Sequence, residues 1–303
     1  MAELAIDAAG SFTEQAARRA VTAAAQRVGI DSSAAEIIRL GSNAVFRLSV
    51  DTIARVAPSL EDSATADKQI AVARWLVSLG YPVVRAVDVD QPVEADSRVV
   101  TFWESIAPET VYAPIDLVAE LIRRLHDLSP PPDLDLPKLR PFGRSDDQTP
   151  RFDGLNQEDG EFLRRRYRSA RAAFDAMTFP LESGVIHGDA NVGNVLLDLR
   201  GQAVLIDLDS FSIGPREWDL IQTALFADRL GWHTPEEYRT FVEVYGYDIT
   251  KWDGYEALAD MREVAMTAWL AKKAASDEKA AAEVHKRITA MRTGGSRRDW
   301  GAY

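Results

Sequence analysis

The feature that most constrains the fold is a change of texture near residue 105. Before it come short runs of apolar and β-favouring residues, AEIIRL (35–40), GSNAVFRLSV (41–50) and DTIARVAP (51–58), which read as strands joined by turns. SRVVTFW (97–103) repeats that texture. GYPVVRAVDV (80–89) is read the same way, with Gly80 and Pro82 marking the break before it. Between them, residues 66–79 have helical spacing, with Ile70, Ala73 or Trp75, and Leu76 or Val77 on one side. The Ala-rich stretch 12–28, which lacks Gly and Pro, adds a leading helix.

After ESIAPETVYAP (104–114) the period becomes helical. Residues 115–128 put Leu117, Leu121, Leu125 and Leu128 on one stripe, and 159–178 align Leu163, Tyr167, Ala170, Phe174 and Met177. HTPEEY (233–238) has the form of a helix start, with Thr234 as N-cap, Pro235 first and Glu237 closing a capping box. Two more helices are expected over 255–273 and 277–292, the latter turning Ala281, Val284, Ile288 and Met291 inward. Strands first and helices afterwards make an α+β protein, divided here into 1–104 and 105–303. The Pro-rich segment 129–150 suits neither helix nor central strand and is expected to run extended over the surface. RRRYR (164–168) is expected to be a solvated helix face.

Charge and composition narrow the partners. The formal charge of -12 argues against a nucleic-acid surface and is compatible with a small cationic substrate. The absence of Cys excludes disulfides, thiolate metal sites and a Cys nucleophile. The opening twenty residues are acidic before they are basic and hold no long apolar run. No secretory signal or membrane partner is expected, and the cytoplasm is the default. A monomer is the simplest assumption.

Chemistry concentrates in VIHGDANVGNVLLDLRGQAVLIDLDS (185–210). A hairpin through Leu196, Leu197 and the intervening DLRGQ would bring Asn194 back toward Asp207. A period-two reading sets Asp207 and Asp209 on one side of a strand end. Two carboxylates and an amide oxygen suit a hard divalent cation such as Mg²⁺, leaving Asp189 to orient a hydroxyl. Asx side chains also cap turn amides, so each residue taken singly has a purely structural explanation.

With HGDANVGN, IDLD and GPREWDL in this order, the chain resembles the aminoglycoside phosphotransferase and choline kinase group of small-molecule kinases. The resemblance runs over most of the chain. It implies a bilobal protein-kinase-like fold, with a small, mainly β N-terminal lobe and a larger, mainly α C-terminal lobe. It also implies Asp189 as the catalytic aspartate, His187 as support for its loop, and Asn194 and Asp207 as metal ligands. Asp209 would be the second acid and Asp219 a brace for the catalytic loop, although an N-cap role explains Asp219 equally well.

At the nucleotide end LGSNAVFRL resembles the family's phosphate loop, with Gly41 relieving crowding and Ser42 or Asn43 near the phosphates. Arg55 stands where the family carries a lysine, and the partner expected to be Glu is Gln69, with Asp67 and Glu61 as other possibilities. VVTFWESI resembles the adenine-binding strand and hinge, so Phe102, Trp103, Glu104 and Ser105 are expected beside the purine.

The implied reaction moves the γ-phosphoryl group of ATP, or GTP, with Mg²⁺, to a hydroxyl on a small molecule such as an aminoglycoside, an amino sugar or another antibiotic. A metabolic kinase for a sugar or amino alcohol is the alternative, and a silent nucleotide-binding scaffold is a third reading. The few residues between Asp209 and GPREWDL leave no room for a peptide-positioning segment, which favours a small acceptor. Trp252, Tyr255, Asp260, Glu263 and Trp269 are candidates for its pocket, with helix packing as the plainer explanation.

Overall fold

A computed structural model describes residues 12–142, 150–275 and 277–302. The expectations for residues 1–11 and for the end of the Pro-rich connection, 143–149, lie outside the described residues. The first elements are α1 (Glu14–Val28), β1 (Glu36–Leu40), β2 (Ala44–Arg47), β3 (Thr52–Ala57), α2 (Ser63–Ser78), β4 (Val93–Ala95), β5 (Arg98–Glu104), α3 (Ile115–His126) and α4 (Gln157–Asp175). They are followed by β6 (Gly184–Ile186), β7 (Val195–Leu197), β8 (Ala203–Leu205), β9 (Ser212–Gly214), α5 (Glu217–Leu225), α6 (Pro235–Tyr245), α7 (Tyr255–Ala271) and α8 (Glu278–Thr293).

Contacts divide the chain into two compact units, 1–112 with 195–209, and 113–194 with 210–303. The sequence suggests a boundary at 104/105. Contacts put it at 112/113 and return 195–209 to the first unit. Hydrogen bonds explain the difference: Leu197 N donates to Val111 O at 2.8 Å, and Leu205 N to Pro82 O at 3.0 Å.

In the first unit an antiparallel sheet runs in the order β1-β2-β3-β5-β4. Residues 80–89, expected as a strand, form none. Their backbone bonds are split, Val84 N going to Leu205 O at 2.9 Å and Val87 N to Phe102 O at 3.0 Å. One face of the sheet buries Phe46, Ala54, Val56 and Phe102 with Ala17, Ala20, Val21 and Ala24 of α1. The small alanines let the helix lie close, while each fully buried Val or Phe contributes about 1.5–3 kcal/mol. Strand alternation sends Arg55 to the other face from its buried neighbours Ala54 and Val56. On α2 the inward residues are Ile70, Val72, Ala73 and Leu76, with Trp75 and Val77 half-buried.

The second unit is mainly helical, and α3 packs against α6 while α4 packs against α7. The stripe on α3 is turned from the expected one: Val118, Leu121, Ile122 and Leu125 are buried, whereas Leu117 is half-buried and Leu128 lies beyond the helix end. Only Leu163 and Tyr167 of the expected α4 line are buried. Thr234 and Glu237 cap α6 reciprocally at 3.1 and 2.7 Å, with Pro235 at the first position. Val284 and Ile288 of α8 are buried, and Ala281 and Met291 half-buried.

Candidate active site

In the second unit β6 leads into a loop held from below by α5. Asp219 Oδ2 accepts the His187 N–H at 2.7 Å, and Oδ1 accepts the Gly188 N–H at 2.8 Å. Trp218 Nε1 donates to Gly188 O at 2.9 Å, so two consecutive α5 residues fix the loop backbone. Asp219 is 0% exposed and also receives His126 Nε2 at 3.0 Å. Because Nε2 faces a carboxylate it carries the proton, and Nδ1 accepts from the Tyr245 hydroxyl at 2.8 Å. Burial opposes charge on Asp219, yet these donors outweigh it and hold the carboxyl below its ordinary value. Asp219 therefore braces the loop; the N-cap position of α5 belongs to Arg216.

Gly188 is needed where it stands. Its φ of 83° is left-handed, and a Cβ there would lie 2.3 Å from Ser210 O. His187, 0% exposed, accepts the Asp189 N–H on Nδ1 at 3.3 Å, which is a supporting contact for the loop.

The Asp189 side chain, 44% exposed, is fixed through both carboxylate oxygens. Asn194 Nδ2 donates to Oδ2 at 3.1 Å and to the Asp189 carbonyl at 2.8 Å, and Arg262 Nη2 donates to Oδ1 at 2.9 Å. The Arg262 guanidinium lies 4.8 Å from the Trp218 ring centroid and also bonds Gln222 Oε1. Asn194 thus spends its amide nitrogen on Asp189, which leaves Oδ1 as its metal-capable atom.

The first unit gathers charges around Asp209. Arg55 Nη1 donates to Gln69 Oε1 at 3.1 Å, while Nη2 reaches Asp207 Oδ1 at 3.3 Å and Asp209 Oδ2. Of the three partners considered for Arg55, the structure selects Gln69 and adds the two acids. Asn43 Nδ2 lies 3.4 Å from Asp209 Oδ2, and Lys68 Nζ donates to the Asp209 carbonyl at 2.6 Å. Burial opposes the Arg55 charge, but Asp207 and then Asp209 hold its value above the ordinary one. Burial raises the Asp209 carboxyl against the pull of Arg55, and lowers the Lys68 ammonium to about 8.

The two acids do not meet as alternate residues of a strand. β8 ends at Leu205, Asp207 takes a left-handed φ of 60°, and Leu208–Ser210 is a 3₁₀ turn. Asp tolerates that conformation better than most residues, at a cost of about 1–2 kcal/mol. Among the described residues no three His, Cys, Asp or Glu side chains gather as a metal site. The carboxylate pair nevertheless fits a hard cation: Asp209 Oδ1 is buried with no hydrogen-bond partner among the described residues. Mg²⁺ needs only one or two protein carboxylates when phosphate oxygens and water complete its shell.

At the phosphate-loop position, Gly41 N donates to Asn43 O at 3.0 Å and Ser42 is exposed. A Cβ on Gly41 would meet only Asn43 O, at 3.9 Å, so no crowding within the chain requires glycine. In the hinge segment Phe102 is 0% exposed, and Trp103 Nε1 bonds Thr101 Oγ1 at 2.8 Å. The N–H groups of Phe102, Glu104 and Ser105 already bond Gln91, Arg85 and Asp51 at 2.7, 2.8 and 2.9 Å.

The acceptor candidates have other partners. Tyr255 donates to Asp228 at 2.9 Å. Asp260 and Glu263 accept from Arg229 at 2.7 and 2.8 Å, Trp252 packs on Phe179, and Lys273 sits 4.0 Å from the Trp269 ring. These are the contacts of helix packing.

Sequence reasoning missed Arg262, Trp218, Gln222, His126 and Lys68. Trp218 and Lys68 adjoin residues that it singled out, so adjacency was a usable signal. Arg262 lies 73 residues from Asp189 with no spacing that marks it.

The sequence matches the model of a family described as the phosphotransferase enzyme family over residues 35–260. No curated protein matches it. Among solved structures it is similar to amicoumacin kinase hAmiN in complex with AMP-PNP, Ca²⁺ and Ami. The identity is 12% and the TM-score 0.70, with 96% of each chain covered. It is also similar to spectinomycin phosphotransferase APH(9)-Ia with ADP and spectinomycin, at 17% identity, TM-score 0.59, and 87% and 91% coverage. Choline kinase LicA from Streptococcus pneumoniae gives 17% identity, TM-score 0.54, and 86% and 96% coverage. At these identities the likeness is one of fold, which is protein-kinase-like.

Proposed function

Because the chain belongs to the phosphotransferase enzyme family, whose model spans 35–260, we propose that it transfers the γ-phosphoryl group of ATP, or GTP, to an alcohol oxygen. It is an enzyme of the small-molecule kinase type. The observation that carries the proposed roles is the Asp189 carboxylate, partly exposed on a loop locked by Asp219 and oriented by Asn194 and Arg262.

In this reading Asp189 orients the acceptor hydroxyl and takes its proton as the bond to phosphorus forms. His187 and Asp219 keep the loop in position, so the loss of orientational freedom is met during folding. Asp207 and Asp209 are assigned to the divalent cation, with Asn194 the further oxygen donor that the family resemblance implies. When bound, the cation supplies charge compensation at the phosphate oxygens. Arg55 serves the phosphates as a planar, permanently charged fork. No covalent enzyme intermediate is required.

A small acceptor is supported by the short path after Asp209: β9 spans only Ser212–Gly214, and α5 starts at Glu217. The relatives named above handle an antibiotic in two cases and choline in the third, so the acceptor is assigned to hydroxylated antibiotics, amino sugars or amino alcohols. Among the described residues no helix is long and apolar enough to cross a membrane.

The test is an ADP-release screen over panels of aminoglycosides, nucleoside antibiotics, amino sugars and amino alcohols, run with wild type and Asp189→Asn. One panel should respond, and the variant should lose about 100-fold or more of that turnover. Undiminished transfer by the variant would overturn the assignment of Asp189.

A further inference from the structure

Resting on the nucleotide-binding reading above, we propose that Lys68 of α2 is a second phosphate-binding cation. It shares with Arg55 the work of meeting the nucleotide's phosphates.

Arg55 is held through both of its terminal nitrogens. Its Nη1 goes to a neutral amide, Gln69 Oε1 at 3.1 Å, while its Nη2 lies between Asp207 and Asp209. With Gln rather than Glu on the helix, α2 contributes no negative charge to the pair. One residue earlier the same helix contributes a positive one. Lys68 directs its ammonium to the carbonyl oxygen of Asp209 at 2.6 Å, beside the carboxylates that Arg55 bridges. Asn43, from the β1–β2 turn, reaches the same Asp209 at 3.4 Å. Residue 209 is thus the meeting point of the phosphate-loop turn, β3 and α2.

Formal charges then decide the behaviour. Arg55 and Lys68 supply two positive charges, and Asp207 and Asp209 two negative ones, so the cluster is neutral. A bare nucleotide meets carboxylates there, and a bare divalent cation meets acids already served by cations. With both present, Asp207 and Asp209 would hold the cation, and the Arg55 guanidinium and Lys68 ammonium would be released to meet the phosphates. Lys68 carries a compact, rotatable point charge on a flexible stem, which suits it to that turn better than the planar fork of Arg55. Magnesium and nucleotide should consequently bind as a coupled pair.

The experiment is isothermal titration of wild type, Lys68→Met and Lys68→Arg with Mg·ATP, with ATP in EDTA, with MgCl₂ alone and with adenosine, each variant checked by circular dichroism and melting. Wild type should bind Mg·ATP at least about 10-fold more tightly than ATP in EDTA. Lys68→Met should weaken Mg·ATP by about 10- to 100-fold and leave adenosine unchanged, with Lys68→Arg in between. A merely structural lysine would weaken adenosine to the same degree, and that result overturns the proposal. Wild-type Mg·ATP affinity in the Met variant overturns it too while leaving the nucleotide reading intact. If wild type binds no Mg·ATP, both fall. Should Lys68→Met melt early, Lys68→Arg decides: retention of both charge and Mg·ATP binding supports the role, and loss of binding in the folded protein refutes it.

Discussion

Arg262 of α7 donates to Asp189 Oδ1 at 2.9 Å, so the acid proposed for proton transfer is aimed by a residue from a different part of the chain. The guanidinium is itself restrained by the Trp218 ring and by Gln222. Arg262→Ala is expected to reduce kcat by about 10- to 100-fold with little change in the KM for nucleotide, because misaiming the acid acts on the transition state. Arg262→Lys should recover only part of that loss. Steady-state kinetics with both substrates varied measures the split; an equal rise in nucleotide KM would contradict the positioning role.

Asp219 carries the loop's stability and a defined pH dependence. Asp219→Ala leaves the His187 and Gly188 N–H groups and His126 without their acceptor, at an expected cost of about 3–5 kcal/mol. Its folded carboxyl titrates below the ordinary 3.8. The stabilising increment is therefore complete above that value and is lost as pH falls through the lower folded one. Denaturant titrations of wild type and Asp219→Asn from pH 7 to pH 2 should show a larger acid-side loss in wild type, because Asp159, Asp248 and Glu283, also held below their ordinary values, titrate in both.

Gly188→Ala sets a Cβ 2.3 Å from Ser210 O at a left-handed φ. Backbone must move to admit it, so a loss of about 2 kcal/mol or more is expected, with transfer activity falling at temperatures where the variant is still folded. Thermal melts and rates on the same preparation test both parts.

Thr234→Ala removes one half of the α6 capping box and touches none of the residues proposed for catalysis. It should lower stability by about 1 kcal/mol and leave kcat and KM unchanged. A change in kinetic constants would tie α6 to the reaction.

Sequence made legible whatever depended on local periodicity or adjacency. β1, β2, β3 and β5 of the first sheet, the capping box at Thr234 and the 195–205 hairpin follow from alternation and turn chemistry over a few residues, whereas the three-residue β4 is too short to show a period. His187, Asp189, Asn194 and Asp207 stood in motifs short enough to recognise. The failures have physical reasons. Residues 80–89 have strand composition, but their hydrogen bonds are divided between β8 and β5, which no local pattern reports. The α3 stripe was misjudged by one position, since Leu at 117 and Val at 118 are equally apolar and only packing chooses between them. Asp207 and Asp209 converge through a left-handed turn rather than a pleat. Arg262 reaches its carboxylate across a sequence distance that periodicity cannot see.

The first unit is made of two separated pieces, 1–112 and 195–209. Synthesis therefore delivers its last strand pair, with Asp207 and Asp209, only after the 113–194 part of the second unit has emerged. A nascent chain stopped at residue 112 would have the five-stranded sheet but lack the bonds that Leu197 and Leu205 bring to Val111 and Pro82, and Arg55 would find no counter-charge at 207 or 209. Completion of the first unit thus waits on the ribosome passing residue 209. A chain cut short before residue 195 would carry the β1–β2 turn and Arg55 without Asp207 and Asp209.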